Sequence, residues 1–228
     1  VLQRYKRPLL IWDIDGTLLE PLGVGRQALN QAFHALYGIS GGFDGLDFAG
    51  ATDHHLWLQA ADSARIPPEE ASNFFAVYVR HLRQQLSRTP LQPLAGVASL
   101  IADLSMRGWP LRLGTGNIRL GAYAKLNAAG LAPYFPGGGF SEAGSTRADI
   151  LQRAADSHLD RPVIVIGDTP RDVDAAHTAG FFCFGIATGR FDVAALQAAA
   201  ADAVLESLAE PTPFFDQVWQ FGQEKARE

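Results

Sequence analysis

The chain has 228 residues, 47% of them hydrophobic and 19% charged, a balance that supports a fully buried core in one large domain or a domain with an insert. Its formal net charge of −5 and sequence pI near 5.7 exclude a general affinity for nucleic acid or an anionic membrane, so any anionic ligand must be attracted locally. No run approaches the length of a membrane span and the stretch PLLIW is too short for a signal segment, so a cytoplasmic protein is expected.

The first element is the apolar run LLIW at 9–12, read as a strand that runs directly into DIDGTLLE. From about residue 20 to about residue 90 the pattern is helical. Leu29, Ala32, Phe33, Leu36 and Tyr37 fall at helical spacing and Gly38 supplies a stop. A second helix is expected after Thr52 or Asp53, and a third after IPPEEAS, with Phe75, Tyr78, Leu82 and Leu86 on its inner face.

From residue 94 onward helices and short apolar runs alternate. A helix through SLIADLSMRG precedes the strand WPLRLG, and helices near LGAYAKLNAAG and TRADILQRAADSHL precede VIVIG. Then come a helix RDVDAAHTAG, the strand FFCFGIA, an alanine-rich helix at 193–200 and a short strand ADAVL. PGGG at 136–139 reads as a flexible connection, and the single cysteine, Cys183, as a core residue of its strand. This alternation predicts an α/β fold, a doubly wound, Rossmann-like parallel sheet covered by helices on both faces. The expected division is a core of residues 1–19 and 90–228 with a small α-helical insert at 20–89.

Ligands of such sheets bind outside the carboxyl ends of the strands. The residues directly after each apolar run are therefore informative: Asp13, Asp15 and Thr17 after LLIW, GTGN after LRL, and GDTPRD after VIVI. Two like charges one residue apart resist joint ionisation unless a cation or shared proton lies between them. With Asp168 the cluster has three carboxylates, and an oxygen-rich site with room for water and phosphate suits Mg²⁺.

DIDGTLL, GTGN and GDTPRD in this order, with a helical insert after the first, resemble the haloacid dehalogenase superfamily, in particular its phosphoglycolate phosphatase-like branch with a small helical cap. The resemblance implies that Asp13 is the nucleophile and Asp15 the general acid and base of a phosphatase working through an aspartyl-phosphate. It implies a Mg²⁺ held by the Asp13 carboxylate, the Asp15 carbonyl and the Asp168 carboxylate, with Asp172 as an outer or alternative ligand. Thr115, the Gly116 N–H and a third-motif cation would hold the phosphoryl oxygens. The family's third motif has a lysine; Arg147 in GSTRADIL stands there in this chain, and Lys125, expected to face solvent two turns into its helix, is the competing candidate. The implied substrate is a small phosphate monoester, with no nucleic-acid or membrane partner.

In the insert, Asp53 and His54 are candidates for substrate contact, while Arg65, Arg80, His81 and Arg83 read as a solvated face of which one member can select an acidic substrate. A phosphomutase of the β-phosphoglucomutase type shares these core motifs and is the main alternative, with a non-catalytic interaction protein behind it. Haloacid dehalogenation is disfavoured by Asp15, and phosphonate hydrolysis by the absence of lysine between residues 20 and 90. A receiver domain is disfavoured because its acidic pair and phosphoacceptor lie on different strands.

Overall fold

A computed structural model describes residues 6–89, 91–156 and 158–225. The expected core limits at residues 1, 90 and 228 lie outside them. Strand β1 (Leu9–Trp12) is followed by three helices, α1 (Val24–Tyr37), α2 (Asp53–Ala64) and α3 (Ala71–Arg88), before the alternating part begins. That part runs α4 (Val97–Met106), β2 (Leu111–Gly114), α5 (Arg119–Ala128), β3 (Gly138–Gly139), α6 (Arg147–Ala155), β4 (Val163–Gly167), α7 (Pro170–Thr178), β5 (Phe182–Ile186), α8 (Val193–Ala198), β6 (Ala203–Leu205) and α9 (Pro211–Lys225). All pairings between these strands are parallel, in the order β3-β2-β1-β4-β5-β6.

The period-two alternation of β1 divides the core. Leu10 and Trp12 point to the side packed by α4, α5 and α9, whereas Leu9 and Ile11 point to the side packed by α6 and α7, where Leu151, Val173 and Cys183 lie. Strands buried on both faces need apolar residues at every position, which is why LLIW and VIVI read as unbroken runs. β1 lies between β2 and β4, with Leu10 opposite Leu111 and Ile164, so the loops leaving these three strands emerge side by side. The connection direction reverses between β1 and β4, which is the topological switch point.

Two features depart from the sequence expectation. PGGG is not a free connection: Gly138 and Gly139 form the edge strand β3, paired to Leu113 and Gly114. A Cβ at Gly139 would collide with the Ile150 carbonyl, so close packing of α6 onto this edge excludes the β-branched residues by which strands are usually recognised. The C-terminal helix α9 follows a proline-rich start, PTPFF, and buries Phe214 and Val218.

The helices between β1 and α4 have their own aromatic centre. Trp57 stacks on Phe74 with ring centroids 4.4 Å apart, and Phe33 meets Phe43 edge-on at 5.5 Å. Gly38 ends α1 with φ 69°, and Thr52 caps α2 by accepting the His55 N–H, as the sequence signals predict.

Candidate active site

β1 ends at Trp12 and delivers Asp13, whose N–H donates to the Ile166 carbonyl of β4 at 2.9 Å. The chain then folds back: Leu18 and Leu19 both donate to the Ile14 carbonyl, and Gly16 takes φ 86°, a left-handed conformation natural to glycine. A side chain at Gly16 would in any case strike the Asp168 carboxylate. This tight return holds Asp13 and Asp15 in one cavity of about 790 Å³, with Thr115, Gly116, Asn117, Lys125, Arg147 and Asp168 also in its wall.

Asp168 leaves β4 and accepts from Thr17 at 3.2 Å. Asp172 is fixed by a reciprocal cap at the start of α7: the Thr169 side chain receives the Asp172 N–H while the Thr169 N–H and hydroxyl donate to Asp172 Oδ2 at 3.1 and 2.8 Å. Its other oxygen, Oδ1, accepts from Arg147, with Nε at 2.8 Å. Arg147 also reaches Asp13 Oδ2 at 3.0 Å and is itself buried. One guanidinium thus bridges the carboxylates delivered by β1 and α7, a task its planar fork suits better than an ammonium would.

Asp13, Asp168 and Asp172 are all buried and can place one oxygen each within 4.8 Å of the others. Burial raises the Asp13 carboxyl above the ordinary range against the opposing pull of Arg147, with Asp172 and Asp15 raising it further. Asp168 is raised by burial and by the charges of Asp172 and Asp13. The protein's own cations leave this cluster under-compensated. The donors are hard oxygens, and Gly16 and Gly189 leave no side chain crowding Asp168, so the residues present fit a hard divalent ion.

Asp15 is treated differently. Lys125 Nζ donates to its two oxygens at 2.8 and 2.6 Å and to Asn117 Oδ1 at 2.7 Å, and Asn117 Nδ2 donates to Asp15 Oδ2 at 2.8 Å. Burial pushes the Asp15 carboxyl up, but the Lys125 charge and the hydrogen bonds from Asn117 and Lys125 outweigh it and leave it below the ordinary value. Lys125 therefore does not face solvent as expected: it is 4% exposed and belongs to the site. Gly121, Ala122, Lys125 and Leu126 form the buried side of α5, so the helical period had already placed it inward. The choice between Arg147 and Lys125 resolves into two cations with separate partners, Asp13 and Asp172 for the first, Asp15 for the second. Asn117 was legible only as part of GTGN.

The insertion meets this end of the sheet through backbone. Asp53 N–H donates to the Gly116 carbonyl at 2.7 Å, and the Asp53 carboxylate accepts the Ile118 N–H at 2.8 Å. A Cβ on Gly116 would collide with the Ala51 carbonyl. Asp53 is 7% exposed, lines the cavity, and is raised to about 6 by burial despite the Lys125 charge. Its neighbour His54 turns elsewhere: Nδ1 lies 3.0 Å from Ser141 Oγ and the ring packs on Phe75 at 4.7 Å, outside the described cavity wall. Arg65, Arg80, His81 and Arg83 are also outside that wall. At the rim, Asp47 pairs with Arg171 at 3.0 Å and Arg190 at 3.5 Å.

This geometry agrees with the relationships of the chain. A family model described as haloacid dehalogenase-like hydrolase matches residues 8–180. The chain belongs to the haloacid dehalogenase-like hydrolases. It is similar to a phosphoglycolate phosphatase of Synechococcus elongatus, 29% identical over 205 residues that cover 87% of this chain and 92% of the relative. A phosphoglycolate phosphatase of Agrobacterium fabrum is 24% identical over 214 residues, 90% of this chain and 91% of the relative. Among solved structures, CbbY from Rhodobacter sphaeroides in complex with phosphate superposes with a TM-score of 0.66 at 21% identity, covering 90% of this chain and 96% of that one. A hydrolase from Pseudomonas syringae gives 0.67 at 20% identity over 92% and 98% of the two chains. These two structures share the fold of this haloacid dehalogenase-like hydrolase. No helix among the described residues is long and apolar enough to cross a membrane.

Proposed function

We propose that the protein is a Mg²⁺-dependent phosphatase of small phosphate monoesters, phosphoglycolate-like in size, with residues 20–89 acting as a cap domain over the site. The observation that carries this reading is the division of labour between the two aspartates of DIDGT. Asp13 is in contact with Arg147 beside the acidic cluster, while Asp15 is held by a separate cation, Lys125. A nucleophile and a proton-transfer group must have distinct environments, and here they do.

In this reading an Asp13 oxygen attacks phosphorus in line with the leaving oxygen, and the P–O bond to the substrate alcohol breaks. Asp15, held as a carboxylate beside Lys125 in the free site, takes the proton of the incoming monoester monoanion and passes it to the departing alkoxide. Asp15 then accepts a proton from water as that water attacks the phosphorus, the bond to Asp13 breaks, and inorganic phosphate leaves. Thr115, the Gly116 N–H and Arg147 orient the phosphoryl oxygens. Lys125 and Asn117 keep the Asp15 carboxylate directed at the leaving group. Asp13, Asp168 and the Asp15 carbonyl, with Asp172 beside them, would hold the Mg²⁺, which would neutralise phosphoryl charge. Cap contacts at Asp53, Gly116 and Ile118 exclude bulk water from the reacting atoms.

The test is phosphate release from a panel of small monoesters, with and without Mg²⁺, by the wild-type protein and by Asp13→Asn. Metal-dependent release abolished by the substitution is expected. No release from any monoester by folded, Mg²⁺-supplemented protein contradicts the reading and favours a phosphomutase or a non-catalytic scaffold.

A further inference from the structure

The cavity of about 790 Å³ is much larger than one phosphoryl group requires, so the alcohol part of a substrate also lies within it. Each cation on the phosphoryl side already has a carboxylate partner. Arg147 is paired with Asp13 and Asp172, Lys125 with Asp15, and on the rim Arg190 with Asp47. Among the described residues of the wall, Arg26 is the one cation without a carboxylate partner. Its guanidinium carbon sits 4.3 Å from the centroid of Phe48, which belongs to the same wall and supports the stem in one orientation.

Arg26 is also near enough to the chemistry to meet a small substrate. A Cβ built on its neighbour Gly25 would lie 3.6 Å from Lys125 Nζ, and that nitrogen is 2.6 Å from Asp15. With one peptide step between residues 25 and 26, the Arg26 Cα is no more than about 12 Å from the Asp15 carboxylate. Arg26 and Asp15 line the same cavity, so a ligand that fills it meets both.

We infer that Arg26 recognises a second anion on the substrate, so that the site prefers phosphate monoesters whose alcohol part carries a carboxylate or a second phosphate. The inference rests on the phosphatase reading for the phosphoryl end of the site. The helix-face cations Arg65, Arg80 and Arg83 stand outside the described wall and do not compete for this role. A planar guanidinium with its ring support binds either anion through paired hydrogen bonds.

Inert phosphonates separate this inference from turnover. Calorimetric titration in Mg²⁺ buffer compares 3-phosphonopropanoate, propane-1,3-diyl bisphosphonate and the uncharged-tail control propylphosphonate. Wild-type protein is expected to bind at least one of the doubly anionic ligands about 30-fold more tightly than the control, and the better of the two identifies carboxylate or phosphate as the second group. Arg26→Met is expected to erase the preference and Arg26→Lys to retain part of it. Equal binding of all three by wild-type protein, or a preference that survives in Arg26→Met, overturns the inference. A charge preference in a protein that releases no phosphate from any monoester sustains the anion subsite and removes the phosphatase reading instead.

Discussion

At the ends of β1, β2 and β4 each acidic side chain is held by a partner and all but the partly exposed Asp15 are buried, whereas the helical insertion meets the same cavity with glycines, a half-buried Phe48 and an Arg26 open to solvent. The sheet side has little freedom to change. Arg147 and Lys125 neutralise carboxylates whose burial would otherwise be costly, and removing one member of such a pair strands its partner. The insertion side is held by an aromatic centre whose stacked rings, Trp57 and Phe74, lie outside the cavity wall, so an exposed wall residue such as Arg26 can vary without disturbing that stack. The contrast is what the proposed function requires, with the reaction assigned to the sheet and selectivity to the insertion.

The most disruptive test of that contrast is Trp57→Ala, which empties the stack on Phe74. A loss of about 3–5 kcal/mol in denaturant unfolding is expected. If the proposed Mg²⁺ site is present, added Mg²⁺ should stabilise the variant against unfolding as it does the wild-type protein.

A second test concerns Asp53, the acid shared between the two regions. Its carboxyl is raised to about 6 by burial, so the folded protein holds this proton more tightly than the unfolded chain. The associated stability is fully present below about pH 4 and declines as pH rises through 6. Asp53→Asn keeps an oxygen for the Ile118 N–H and removes the decline. Unfolding curves should coincide near pH 4, with the variant more stable at pH 8 by at most about 3 kcal/mol.

Lys125→Met probes the sheet side directly. With Asp15 held only by Asn117, kcat is expected to fall about 100-fold while KM changes less than about threefold, a split that general destabilisation does not produce. Lys125→Arg should recover part of the rate. The smallest effect is predicted at the rim: Asp47→Ala breaks two exposed pairs, to Arg171 and Arg190, and should cost less than about 1 kcal/mol.

Much of this molecule was readable in the chain because its signals are local. Strands buried on both faces must be apolar throughout, and the acidic and glycine-rich turns after LLIW, LRL and VIVI lie together once those strands are adjacent and parallel. The features that escaped depend on contacts distant in sequence. β3 has two glycines in place of strand-forming residues because the Ile150 carbonyl of α6 leaves no room for a side chain at Gly139 and Leu113 of β2 leaves none at Gly138. Lys125 looked like a surface residue because a lysine two turns into a helix usually is one; its partner is 110 residues away. His54, adjacent to a cavity residue, turns to Ser141 because successive residues of a helix face different directions, about 100° apart.

The most direct measurement of the central claim is acid quenching of a single turnover with a ³²P-labelled monoester, followed by peptide mapping. The account predicts label on the peptide that contains Asp13, formed and lost at rates compatible with phosphate release and absent from Asp13→Asn. Wild-type rates of phosphate release by Asp13→Asn, or label on another peptide only, would contradict it.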